Sequence, residues 1–134
     1  MAIITEEMKT IMTKMRTAAV ATATSDGKPN VVPISFNKVL SDNEILLMDN
    51  YMKKTRANIE DNPLVAISFW DFEQGMGYQF KGRARIETDG SVFEEGVQWV
   101  KARRSQINPK AAIIVSVDEI YLVGAGDSGG KRIA

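Results

Sequence analysis

The chain has 134 residues, room for one domain, and its 44% hydrophobic and 25% charged content is that of an ordinary globular protein. Seventeen basic and seventeen acidic residues cancel, so no global field draws in nucleic acid or an anionic membrane, and any anion site must be local. Cysteine and histidine are both absent, which excludes disulfides, Cys/His zinc sites, thiol nucleophiles and every triad that needs an imidazole. No metal site is expected.

No stretch approaches the roughly 18 apolar residues of a membrane span, and no apolar segment precedes a cleavage site near the start. A cytoplasmic protein is expected. Thr5, followed by Glu6 and Glu7, marks a capped, acid-rich helix start, and Ile4, Met8, Ile11, Met12 and Met15 then share one face at helical spacing. Those methionines suit packing between a helix and a sheet. From Thr17 the run TAAVATAT takes a two-residue period and leads to Asp26-Gly27, a hairpin signal. The returning strand, residues 29–40 (PNVVPISFNKVL), carries Pro33 in its middle. Proline has no N–H for a ladder, so this strand is an edge or is bulged there. A bulge would free the peptide groups of Val32, Ile34 and Ser35 for a ligand; a protected sheet edge would not.

Residues 45–48 are wholly apolar and deliver Asp49 and Asn50 into a short helix whose charges are reversed. Lys53, Lys54 and Arg56 crowd its first turn while Glu60 and Asp61 sit in its last. The helix dipole favours the opposite arrangement by roughly 0.3–1 kcal/mol per charge. A bound anion would offset this, because free helix N–H groups, a Lys ammonium and a Thr hydroxyl together match a phosphate. Lys54 and Asn58 lie one turn apart, with Thr55 beside them. The alternative is a pair of lysines that simply point into water.

Asn62-Pro63 stops that helix. Residues 64–70 (LVAISFW) form a strand, and residues 72–77, with two glycines, a mobile connection. Residues 78–87 (YQFKGRARIE) alternate apolar and polar, leaving one face wet, and Gly82 marks a bulge or a close backbone approach. Ser91 then caps a helix to about Arg104, whose Lys101, Arg103 and Arg104 obey the dipole rule. Residues 111–123 are the last strand, and the glycine-rich tail, 124–134, is expected to be loose unless something binds it. The whole is one domain, 1–134, with an N-terminal helix in 1–16. Six antiparallel strands with three flanking helices predict a mainly β fold, a small closed or nearly closed barrel that hides its edges. GxGxxG and Walker patterns are absent.

Three of these stretches carry a resemblance: SDGKPNVVPISF, LLMDNYMKKTRANIEDNPLVAISFWD and GYQFKGRARIE. They resemble the FMN-binding split barrel of the pyridoxamine 5'-phosphate oxidase-like family, and within it the short flavin-binding members of anaerobic bacteria and archaea. The similarity runs from about Thr17 to Val123. Its most specific part is the K-T-x-x-N-(hydrophobic)-x-x-N-P run over residues 54–63.

The resemblance implies non-covalently held FMN, with Lys54, Thr55 and Asn58 at the flavin phosphate and Lys53 assisting. Asn30, Val31, Val32, Pro33, Ile34 and Ser35 would run along the isoalloxazine, and Asp49 and Asn50 would lie near the ribityl chain or the pyrimidine edge. A homodimer with flavin at the subunit boundary is also implied, which suits so small a chain. Gln79, Lys81 and Trp99 are candidates to reach the neighbour's flavin, with Trp99 the aromatic most able to stack; the alternative, an ordinary interface or core residue, weighs more for Trp99 than for Gln79. The oxidase that names the family grips its substrate with His and Arg residues of a C-terminal segment. Lack of histidine argues against that activity, and against the haem-handling relatives, whose iron takes an axial ligand of that type. The implied function is a redox flavoprotein, an oxidoreductase or electron-transfer protein whose partner is a small-molecule reductant or another electron-transfer protein. A flavin carrier without turnover and a deazaflavin-dependent reductase are the alternatives. A nucleic-acid-binding barrel would want a basic surface with interleaved aromatics, which this chain lacks.

Overall fold

The computed structural model describes residues 2–134. Its elements are α1 (Glu6–Met15), β1 (Ala18–Ala23), β2 (Pro29–Ile34), β3 (Asn37–Ser41), β4 (Glu44–Asp49), α2 (Lys54–Asp61), β5 (Leu64–Asp71), β6 (Met76–Glu87), α3 (Gly90–Arg103) and β7 (Ala111–Gly124). One antiparallel sheet takes the order β2-β1-β5-β6-β7-β4-β3. It curls into a barrel split between its two edges, β2 and β3, which the residues Ser35 and Phe36 join at one end. Among the described residues no helix is long and apolar enough to cross a membrane.

Seven strands replace the expected six because residues 29–40 are two strands. β2 pairs with β1, and β3 pairs with β4. The corner between them is held by Asn37, whose side-chain amide donates to the carbonyls of Arg16 (2.7 Å) and Ile34 (2.9 Å). Pro33 sits opposite Ala19 on the edge strand β2, where a missing N–H leaves no partner unpaired. The edge alternative is the one realised.

The barrel interior holds Val20, Ile45, Leu47, Ile67, Phe69, Phe80, Ile113 and Val115, closed off by Met8, Ile11 and Met12 of α1. A second cluster packs Leu46, Met48, Ala112 and Ile114 against Val100 of α3. β4 and the first half of β7 are thus buried on both faces, which is why their sequences run apolar there without alternation. Gly96 brings α3 close to the sheet, where a Cβ would stand 2.5 Å from Met48 Sδ and the Met48 side chain would have to move. Gly82 proves to be both a bulge and a close approach: the register shifts after Lys81, and a Cβ would lie 2.0 Å from Ser116 O.

α1 begins as expected, with Thr5 Oγ1 accepting from Met8 N at 3.3 Å. α3 begins one residue before Ser91, and its N-cap Asp89 makes no side-chain cap bond. The connection after β5 is tighter than expected. Asp71 Oδ1 accepts from the N–H groups of Glu73 and Gln74, and Gly75, at φ 64°, completes the turn into β6. The tail does not hang free either. Gly130 N donates to Leu122 O (2.7 Å), Ile133 N to Ile120 O (2.8 Å), and Arg132 reaches Glu119 at 3.3 Å. Gly126 and Gly130, both at positive φ, let the chain fold back along β7.

Asp71 also ties α1 to the sheet, because Lys14 Nζ donates to its Oδ2 at 2.9 Å. That hydrogen bond holds the Asp71 carboxyl below the usual carboxylate range, against the opposing pull of burial. A depressed folded-state pKa contributes stability above the unfolded value and loses it as pH falls through the folded one. Asp71→Asn is therefore expected to be less stable than the parent at neutral pH and to converge with it as pH falls through the lowered titration range of the Asp71 carboxyl. Urea midpoints across that range check this, and a constant difference would show that the charge is immaterial.

Candidate functional site

Between the end of β2, the Asn50–Lys53 loop and the segment after α3 lies a cleft of about 440 Å³, within the roughly 300–1,000 Å³ typical of small-molecule sites. Its walls are largely apolar, supplied by Val32, Pro33, Ile34, Met48, Met52 and Ile107. Its polar groups gather at the start of α2.

The charge reversal of α2 resolves unevenly. Arg56 is paired, with Nη1 2.9 Å from Asp49 Oδ2 and Nε 3.7 Å from Glu60. Among the described residues Lys53 and Lys54 make no ion pair. Both line the cleft. Lys53 is also the N-cap, and no side chain caps the helix there. The first turn of α2 and two lysines without an ion pair among the described residues therefore stand at one end of an apolar cleft, an arrangement whose charge suits an anion.

Asp49 does not line the cleft, contrary to the expectation that it would face a ligand. It is fully buried, accepts from Met52 N at 3.0 Å and from Arg56 at 2.9 Å, and has Lys110 Nζ at 3.6 Å. A carboxylate turned into the cleft would repel an anion beside Lys54; turned inward, it clamps strand, loop and helix together. Lys110 Nζ also donates to Met52 O, and its N–H to Asp49 O. Asn58 likewise turns from the cleft, donating to Thr22 Oγ1 at 3.1 Å. Asn30 donates to Thr55 Oγ1 at 3.2 Å, so it stands behind the cationic end and not along the apolar walls. Val31 is 64% exposed on the opposite side of β2, as the two-residue strand period requires.

Of the remaining expected residues, Val32, Pro33, Ile34, Ser35, Asn50 and Thr55 do line the cleft. Gln79, within β6 between Ser68 and Tyr121, does not. Trp99 packs edge-on against Phe36 at 5.5 Å, flanked by Lys38 and Arg103 at 4.6 and 5.7 Å from its ring. It backs a cleft residue without entering. Lys81 lies over the Tyr121 ring at 5.1 Å.

Sequence reasoning missed Phe36, Met48, Tyr51, Met52 and Ile107. Tyr51 and Met52 carried a signal, since they lie between Asn50 and Lys53. Ile107 carried none: its place is set by Lys101 Nζ, which grips Ile107 O and Asn108 Oδ1, each at 2.9 Å. Asn50 presents a further feature, because its Oδ1 is buried without a hydrogen-bond partner beside the cleft. An orphaned amide oxygen is costly unless a donor comes to meet it. The lining suits a ligand with an anionic group at one end and an apolar body.

Residues 4–124 match the family model described as "Pyridoxamine 5'-phosphate oxidase". The chain belongs to this family. It is 37% identical over 117 residues to an uncharacterized protein of Methanocaldococcus jannaschii, covering 86% of this chain and 78% of that one. The crystal structure of HupZ from Group A Streptococcus superposes with a TM-score of 0.83 at 34% identity, covering 96% of this chain and all of that one. Two more distant structures share the fold alone. One is an FMN-binding protein from Syntrophomonas wolfei (13% identity, TM-score 0.81, covering 91% and 87%). The other is HutZ, the heme storage protein of Vibrio cholerae (19% identity, TM-score 0.68, covering 96% and 98%).

Proposed function

We infer that the cleft holds FMN non-covalently and that the protein is a redox flavoprotein, of the short flavin-binding type found in anaerobes and archaea. The observation that carries this reading is the uncapped start of α2, where Lys53 and Lys54 stand unpaired at one end of an apolar cleft. FMN, when bound, would supply one- or two-electron transfer. The chain's own residues have simpler tasks. Lys53, Lys54 and the α2 N–H groups neutralise the phosphate, while Val32, Pro33, Met48, Met52 and Ile107 exclude water from the heterocycle. Asn50 lines the same cleft beside Lys53 and Lys54 and belongs to its polar end.

The fold by itself serves haem as well as flavin among its neighbours, so the residues must choose. With neither histidine nor cysteine in the chain, a histidine or thiolate axial ligand is unavailable to haem iron, whereas Lys53 and Lys54 suit a phosphate. A homodimer with the cleft at the subunit boundary belongs to the same reading. It is supported by the size of the chain and by Val31, Tyr51, Leu64 and Trp70, large side chains left exposed on the single chain. The electron donor would be a reduced nicotinamide or an electron-transfer protein, in keeping with a cytoplasmic location.

Native mass spectrometry of the purified protein tests ligand and assembly together. The expected result is a dimer carrying two FMN molecules; haem, deazaflavin or an empty monomer would overturn the reading. Anaerobic addition of reduced nicotinamide then separates a reductase, whose flavin band bleaches, from a carrier, whose band persists.

A further inference from the structure

Behind the cationic end of the cleft runs a buried polar chain that phosphate binding does not by itself demand. Thr22 of β1, Thr55 of α2 and Asn58 of α2 are 4%, 2% and 8% exposed. Asn30 of β2 completes the set. Its Nδ2 lies 3.2 Å from Thr55 Oγ1 and 3.5 Å from Thr22 Oγ1, and Asn58 Nδ2 lies 3.1 Å from Thr22 Oγ1. Burying this many polar groups is unfavourable unless each bond is made, and apolar side chains would pack the same space without that requirement.

The direction of the Asn30 bond has a chemical consequence. A threonine hydroxyl has one proton to give and two lone pairs to receive with. Thr55 Oγ1 already receives from the Asn30 amide, so its own proton must point elsewhere. Among the described residues nothing accepts it, and Thr55 lines the cleft.

We propose that Asn30 is a positioning residue: by donating to Thr55 Oγ1 it turns the Thr55 hydroxyl proton into the cleft, where that proton meets a phosphate oxygen of the ligand. Thr22, receiving from both Asn30 and Asn58, anchors the amide that does this. The inference rests on the flavin reading and goes past it, because it makes a residue with no place in the cleft wall a determinant of selectivity for phosphorylated over phosphate-free flavin. It also assigns Asn30 to the phosphate end and not to the isoalloxazine.

The test is fluorescence titration of the purified, flavin-free protein with FMN and with riboflavin, which lacks only the phosphate. Asn30→Ala is expected to weaken FMN about tenfold, the scale of one hydrogen bond to a charged oxygen, and to leave riboflavin within about twofold. In a Thr55→Val background the Asn30→Ala effect on FMN should fall below about twofold, because the proton it directs is gone. Asn30→Asp, nearly isosteric but able only to accept, should draw the Thr55 proton back and weaken FMN more than Asn30→Ala does. Thermal melting of each variant confirms that the fold survives.

Equal losses for both flavins, an undiminished effect without the Thr55 hydroxyl, or wild-type FMN affinity in Asn30→Asp would each overturn the relay. A wild-type protein that binds FMN no tighter than riboflavin overturns the phosphate assignment, and the relay with it. A wild type that favours FMN while Asn30→Ala loses both flavins alike overturns the relay alone.

Discussion

Replacing Lys54 and Thr55 together by alanine is expected to weaken FMN binding by at least about a hundredfold while leaving the fold in place. Each substitution removes a contact to a charged phosphate oxygen, worth roughly 1.5–3 kcal/mol, and about 1.4 kcal/mol is a factor of ten in affinity. The fold should survive because Lys54 makes no ion pair among the described residues and Asn30, deprived of Thr55, still has Thr22 within reach. Flavin fluorescence quenching gives the affinity and circular dichroism the integrity of the barrel. Affinity unchanged in the double variant would mean that the anion binds elsewhere, and the two lysines would then be ordinary solvent-facing residues.

The second large effect is on stability. Asp49→Ala is expected to cost about 3 kcal/mol, the lower end of what removing one partner of a buried pair costs, because Arg56 and Lys110 are themselves partly exposed. The loss has three parts: Arg56 is left without its carboxylate, Met52 N loses its acceptor, and the Asn50–Lys53 loop loses the clamp that presents the lysines. Asp49→Asn keeps an acceptor for Met52 N and should retain part of the stability. Urea unfolding reads both values. A change below about 1 kcal/mol in Asp49→Ala would show that the pair contributes little here, as exposed pairs do. FMN affinity should fall in Asp49→Ala although the residue never touches the cleft, since the loop that carries Lys53 is released.

Much of the architecture was legible because it depends on local rules. Pro33 demanded an edge or a bulge, and the topology put β2 at an edge. Gly82 demanded close backbone approach and lies against Ser116 O. The division of residues 29–40 into two strands was not read, since Ser35 and Asn37, though turn formers, stand singly among β-prone apolar residues. The corner is made by the Asn37 amide reaching a carbonyl of Arg16, 21 residues back in the chain. The tail was misjudged for a related reason: its glycines announce turns, but only β7 offers the carbonyls those turns bring it to.

The amino-acid sequence alone determined where a cation-rich helix start must stand and that no imidazole or thiol chemistry is available, because dipoles, charges and side-chain inventories are properties of the chain itself. Tertiary structure alone decided which polar groups face the cleft. Asp49, Asn58 and Asn30 all read as ligand contacts in sequence, yet each is turned aside by a partner brought from elsewhere: Arg56 and Lys110 for Asp49, and Thr22, 36 residues from Asn58, for the amides. A buried polar side chain goes to the partner that satisfies it, and in a barrel of seven strands that partner is chosen by sheet order rather than by nearness along the chain.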